Sequence, residues 1–171
     1  IVGGGLAAAR ACEGIRELDA SGSIAIVTAE PHLPYNRPPL SKAYLRGERP
    51  LSKVFVQAES YYRDHNITVY TEAEATRITR RSRRVTLADG ESIGYEEMLL
   101  ATGGRAWRLP LTGVDLPGVF TLRTLDNCDA IRQAARAAKQ VLVIGGSFIG
   151  CEVAASLSQM DVRVTICFLE D

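Results

Sequence analysis

Long hydrophobic runs are missing from this chain. No stretch reaches the about 18 consecutive apolar residues of a membrane-spanning helix, so no such helix is expected. A surplus of one charge is missing too. Twenty Lys plus Arg balance 20 Asp plus Glu, which excludes a general nucleic-acid binder needing basic excess to neutralise phosphates. Cysteine is sparse. Cys12, Cys128, Cys151 and Cys167 form no CxxC pair and no zinc-ligand spacing. All four read as buried small apolar residues in a reducing compartment, here the cytoplasm. His32 and His65 have no companion spacing for a metal. What is abundant is apolar material, 46% of 171 residues, which supports a folded core and excludes wholesale disorder.

The apolar pattern gives an α/β organisation. Ile1-Val2 is the stub of a strand, Gly3-Gly4-Gly5 a turn, Leu6 to Leu18 a helix, and Ser23 to Thr28 a buried strand. That is a βαβ unit, whose parallel strands require the crossover helix. Pro31, Pro34, Pro38 and Pro39 then impose a stiff irregular loop. Gln57 to His65 reads as a short helix, and Ile67 to Tyr70 as a strand. Ala75 to Leu99 looks antiparallel, with Asp89-Gly90 as a hairpin signal. Met98 to Ala101 is a further apolar strand, and Asp126 to Ala138 a helix. The opening pattern returns roughly 140 residues later: strand 141–144, turn 145–147, helix 148–160 and strand 162–168. The expected architecture is two Rossmann-like dinucleotide-binding βαβ domains, the first with an antiparallel β insertion. Domain 1 runs over 1–125 and domain 2 starts at 126 and continues to 171. The chain opens without Met inside a strand and stops at a strand end, so it reads as an internal, truncated piece of a longer protein.

The two glycine turns carry the chemistry. The first, Gly3 to Ala8, is a GxGxxA. Its first glycine permits a tight turn, its second permits close approach to a pyrophosphate, and its small last residue lets helix and strand pack. Glu30 follows about 20 residues later, where a carboxylate accepts hydrogen bonds from ribose hydroxyls. The second turn, Gly145 to Gly150, has Ser147 where the middle glycine would stand. Glu170 closes its next strand. A carboxylate there repels a 2′-phosphate and so favours NADH over NADPH. Two dinucleotide sites in one chain have a natural use: one for a flavin, one for a nicotinamide, with hydride passing between them.

The segment Pro34-Tyr35-Asn36-Arg37-Pro38-Pro39-Leu40-Ser41-Lys42 resembles the FAD-dependent NAD(P)H reductases of ferredoxins and rubredoxins, a group that includes apoptosis-inducing factor. Ala101-Thr102-Gly103-Gly104 and Leu122-Arg123-Thr124-Leu125-Asp126 are similar to further motifs of that family, in the same order. The resemblance implies that Gly3, Gly5, Ala7 and Ala8 wrap the FAD pyrophosphate while Glu30 holds the adenosine ribose. It places Arg37 and Lys42 along the flavin, Ala75 by the adenine, and Thr102, Gly103 and Arg123 close to the FAD. Ser147, Phe148 and Ile149, between Gly145 and Gly150, would line the NADH phosphates. Glu152 matches an acid that pairs with the Lys42 position. A lysine beside N5 offsets the negative charge that hydride brings, and a carboxylate keeps it protonated and oriented. One departure is Ala106-Trp107 where the family carries Pro-Arg; Trp107 has three readings, stacking on a ring, covering the domain junction, or half-buried packing, and the last is preferred.

The disulfide reductases share this plan but need a CxxxxC pair, which is absent. Electrons are therefore expected to leave through an iron–sulfur carrier, a ferredoxin or rubredoxin, in an oxygenase system. The alternative from another class is an NADH-responsive flavoprotein with a signalling or assembly role and slow turnover. Arg80, Arg81, Arg83 and Arg84 form the one dense basic cluster, which reads as a solvated hairpin tip, with docking of an acidic ferredoxin as the alternative.

Overall fold

A computed structural model describes residues 1–169. Glu170, and with it the expected nicotinamide selectivity, lies outside the described residues. The chain forms two compact units. One comprises Ile1–Asn36 and Phe55–Gly104, the other Arg37–Val54 and the chain from Arg105 on.

The first unit is built on parallel strands. α1 (Leu6–Leu18) connects the opening residues to β1 (Ile24–Val27), and β1 pairs in parallel with β2 (Ile67–Tyr70). Val2 bridges Val27 on one side and Leu100 on the other, both in parallel. The expected 98–101 strand is thus reduced to a single bridge, flanked by hydrogen bonds from Val2 N to Leu99 O and from Ala101 N to Val2 O. The strands alternate their faces with period two. Ile24 and Ile26 pack with Cys12 of α1 and Tyr62 of α2 (Glu59–Asp64). Val2 and Val27 pack with Val85 and Leu87 of an antiparallel meander, β3 (Ala75–Thr79), β4 (Arg84–Leu87) and β5 (Ser92–Gly94). α2 is shorter than the expected 57–65. Gly90, at φ +91°, makes the expected turn, and the four clustered arginines are all exposed at the other one.

In the second unit, α3 (Leu125–Ala135) precedes β6 (Gln140–Ile144), α4 (Phe148–Ser158) and β7 (Arg163–Cys167). β6 and β7 pair in parallel from Gln140↔Arg163 to Ile144↔Cys167. The second half of the proline-rich segment, from Arg37, also belongs here: a 3-10 turn at Pro38–Ser41 packs against α3 and α4. α3 is fixed by a reciprocal cap. Asn127 N donates to Thr124 Oγ1 at 3.2 Å, and Thr124 N donates to Asn127 Oδ1 at 3.0 Å.

Two expectations need correction. Cys12 and Cys128 are buried, but Cys151 and Cys167 are exposed. Cys167 lies in register with Ile144, on the sheet face where Leu142 and Ile144 are also open. Cys151 shares with Ala155 and Ser158 the exposed stripe of α4. Trp107 is 76% exposed rather than half-buried, on the irregular stretch after Gly104.

Candidate functional site

The first glycine turn sits at the C-terminal end of the parallel strands, where open α/β sheets hold ligands. Its glycines have different tasks. Gly3 has φ +115°, and a Cβ there would lie 2.1 Å from the Ala101 carbonyl oxygen. A Cβ on Gly4 would strike the Thr28 side chain at 2.6 Å. A Cβ on Gly5 would meet no atom within 4 Å. Gly5 is also the N-cap of α1 and supplies no side-chain cap. Uncapped backbone donors at a helix start, with open space beside them, fit a pyrophosphate. Ala7 is exposed on the first turn of α1, whereas Ala8 is fully buried and serves helix–sheet packing.

The residues expected around this turn converge on it in part. Thr102 and Gly103 follow directly from the Leu100 bridge, both exposed, with the Thr102 nitrogen within 2.9 Å of the Cβ position on Gly3. Glu30 lies just past the end of β1, half-buried. Its carboxylate accepts a hydrogen bond from the Tyr35 hydroxyl, and Tyr35 is 2% exposed. The backbone carbonyl of Glu30 accepts from Glu72 N at 3.1 Å, which ties the β1 end to the approach of β3, where half-buried Ala75 begins the strand.

The second unit assembles an ion pair. Lys42 Nζ lies 2.7 Å from Glu152 Oε2, joining the segment after the 3-10 turn to the first turns of α4. Ser41 Oγ donates to the same oxygen at 2.5 Å. The Lys42 ammonium first, and then the Ser41 hydroxyl, hold the Glu152 carboxyl below its ordinary range. Arg37 donates to the Arg123 carbonyl at 2.6 Å, so these two expected site residues meet at the start of α3.

The second glycine turn is exposed. Gly145 has φ +117°, and a Cβ on Gly150 would lie 2.0 Å from the Gly145 carbonyl oxygen, which requires glycine there for close packing. Ser147 is the N-cap of α4 and makes no side-chain cap, so its small side chain leaves the helix-start donors open. Phe148 and Ile149 are 89% and 53% exposed beside it. No group of His, Cys, Asp and Glu suited to a metal occurs among the described residues. Sequence reasoning missed Tyr35 as a partner of Glu30, Ser41 as a partner of Glu152, and Ser156 of the same helix as a partner of the Ser41 carbonyl.

The family described as pyridine nucleotide-disulphide oxidoreductase matches residues 1–170. The chain is 39% identical over 166 residues to a ferredoxin–NAD(P)(+) reductase of Sphingomonas sp, covering 97% of this chain and 40% of that protein. It is 36% identical to the ferredoxin–NAD(+) reductase subunit of a benzene 1,2-dioxygenase system of Pseudomonas putida, with 97% and 40% covered. Among solved structures, the covalent putidaredoxin reductase–putidaredoxin complex superposes with a TM-score of 0.88 at 35% identity, over 96% of this chain and 40% of that one. The chain thus spans about two-fifths of the length of such relatives. No helix is long and apolar enough to cross a membrane among the described residues. The glycine turns, the order of the motifs and these likenesses agree, and the chain belongs to the pyridine nucleotide-disulphide oxidoreductase family.

Proposed function

We propose that the whole protein is a cytoplasmic FAD-dependent reductase. It takes hydride from NADH, in preference to NADPH, and hands electrons to a ferredoxin- or rubredoxin-type iron–sulfur carrier, as the reductase of an oxygenase system. The observation that carries this reading is the Lys42–Glu152 pair at 2.7 Å, in a chain whose relatives are named ferredoxin reductases. A flavin supplies the chemistry that joins a two-electron donor to one-electron carriers. This chain's residues supply binding and charge. Gly3, Gly5, Ala7 and the start of α1 receive the FAD pyrophosphate, Thr102 and Gly103 flank it, Glu30 takes the ribose hydroxyls, and Ala75 lies by the adenine. Arg37, Lys42 and Arg123 serve the ring side. Gly145, Ser147, Phe148, Ile149 and Gly150 receive the NADH phosphates, and Glu170 rejects a 2′-phosphate. Lys42 brings positive charge to the hydride-accepting edge, and Glu152 keeps that amine aimed. In this reading the flavin domain occupies 1–125 and the nicotinamide domain begins at 126.

Stopped-flow absorbance on the full-length, FAD-loaded protein tests this. Flavin bleaching is expected to be fast with NADH and slow with NADPH, with rapid reoxidation on adding a [2Fe–2S] ferredoxin or a rubredoxin. Bleaching that persists whatever carrier is added, or no bound flavin, would overturn the assignment.

A further inference from the structure

An ion pair between half-exposed side chains is weak and mobile by itself, because water screens it and both chains lose freedom to make it. Lys42 and Glu152 are such a pair, with side chains 47% and 31% exposed. Yet the carboxylate has a second grip. Ser41 is 5% exposed, and its hydroxyl donates to Glu152 Oε2 at 2.5 Å, the oxygen that Lys42 reaches from the solvent side. Two consecutive residues therefore close on one oxygen, one buried and one open. Ser41 is anchored in turn. Ser156, 1% exposed and one helical turn beyond Glu152, donates to the Ser41 backbone carbonyl at 2.7 Å. Ser156 Oγ accepts from Arg46 at 3.1 Å, and Arg46 is held by both carboxylate oxygens of Glu48 at 2.6 and 2.7 Å. The other acceptor within reach of the Ser41 hydroxyl is the Pro38 carbonyl, at 3.3 Å. The charged and closer oxygen takes the single proton.

We propose that Ser41 is a positioning residue for the Lys42–Glu152 pair, with Ser156 as its anchor on α4. The buried hydroxyl fixes the Glu152 carboxylate, and the fixed carboxylate gives the Lys42 ammonium one position rather than many. The inference rests on the role proposed for Lys42, but its first test does not depend on bound flavin or turnover.

Competitive acetylation of the full-length apoprotein with acetic anhydride, read by mass spectrometry at Lys42, reports how firmly the amine is held. Ser41→Ala is expected to raise Lys42 labelling several-fold, and Ser41→Thr, which keeps the hydroxyl, to restore wild-type labelling. Ser156→Ala leaves the carboxylate contact in place and is expected to give a smaller rise. It decides the matter if Ser41→Ala does not fold. In the FAD-loaded protein, Ser41→Ala is expected to lower the limiting rate of flavin reduction about tenfold, the equivalent of one charge-assisted hydrogen bond, with the apparent NADH Kd unchanged. Labelling of Ser41→Ala equal to wild type, or of Ser41→Thr equal to Ser41→Ala, would overturn the inference. Altered labelling with unaltered flavin reduction would uphold the positioning of Lys42 and instead overturn its proposed catalytic part.

Discussion

Two buried tyrosines make opposite use of the same hydroxyl. Tyr62 is 2% exposed, packs with Cys12, Ile24, Ile26 and Ile67, and its phenol oxygen has no hydrogen-bond partner among the described residues. Burial first, then the neighbouring Cys12 and Glu13, push its ionisation upward, so it stays a neutral, unsatisfied donor. Leaving such a group unpaired is costlier than having no polar atom there. Tyr62→Phe is therefore expected to stabilise the full-length protein by about 1 kcal/mol in chemical denaturation. A loss of stability would show that the hydroxyl is satisfied in solution. Tyr35 is equally buried, but its hydroxyl donates to Glu30, the residue assigned to the FAD ribose. Tyr35→Phe removes one hydrogen bond that orients the Glu30 carboxylate. It is expected to weaken FAD retention about three- to tenfold in ultrafiltration assays while leaving the circular dichroism unchanged. Unaltered retention would mean that Glu30 is oriented without Tyr35.

At the level of elements, the first glycine turn separates folding from ligand binding. Gly3 faces the Ala101 carbonyl at positive φ, so Gly3→Ala is expected to break the parallel pairing of Val2 and abolish folded, flavin-loaded protein. The Cβ of Gly5→Ala would enter empty space, so this variant is expected to fold normally but lose flavin absorbance after gel filtration. Retained flavin in Gly5→Ala would move the pyrophosphate away from this turn. The Thr124 cap gives a purely structural contrast: Thr124→Ala is expected to cost about 1 kcal/mol of stability through α3. These local features were legible in the sequence because each is carried by neighbouring residues. The turn, its helix and the acid after the next strand lie within one βαβ unit, and helix α1 matches its expected bounds. The placement of 37–54 was legible only at the Lys42–Glu152 pair, which the family resemblance implied. It is set by Cys128 Sγ donating to Leu40 O, Tyr44 to Asp129, and Ser156 to Ser41. Those contacts join residues far apart in the chain and leave no periodic trace in it. The exposure of Cys151 and Cys167 escaped for a related reason. Composition says that a cysteine is usually buried, but only the sheet and helix register say which face it occupies.

Across the whole molecule, shifted titrations of the described residues predict how stability depends on pH. Two partly buried carboxyls are held low: Glu13 by hydrogen bonds from Gln57 and then Arg10, Glu152 by Lys42 and then Ser41. A lowered carboxyl contributes stability above its unfolded value, and that contribution is lost as pH falls through the folded value. The acid limb therefore opens below about pH 4. The thiols and phenols move the other way. Burial, and then Asp129, push Cys128 up to about 12, and burial with the hydrogen bond to Asp129 pushes Tyr44 up to about 12. Such groups contribute fully below their unfolded values and lose that contribution as pH rises toward the folded ones. Stability is thus expected to be flat between about pH 5 and 8, and to fall on both sides. Cys128→Ala isolates the alkaline limb. Removing the thiol loses its packing and its hydrogen bond to the Leu40 carbonyl at every pH, a constant deficit below about pH 8. Above the ordinary thiol value near about 8.5, the wild-type unfolded chain gains by ionising and the variant does not. The deficit is then expected to shrink by up to about 1.4 kcal/mol per pH unit, measured by urea denaturation of the full-length proteins. A deficit that stays constant from pH 7 to about 10 would mean that Cys128 ionises as readily folded as unfolded, and that its burial between α3 and the proline-rich segment is not kept in solution.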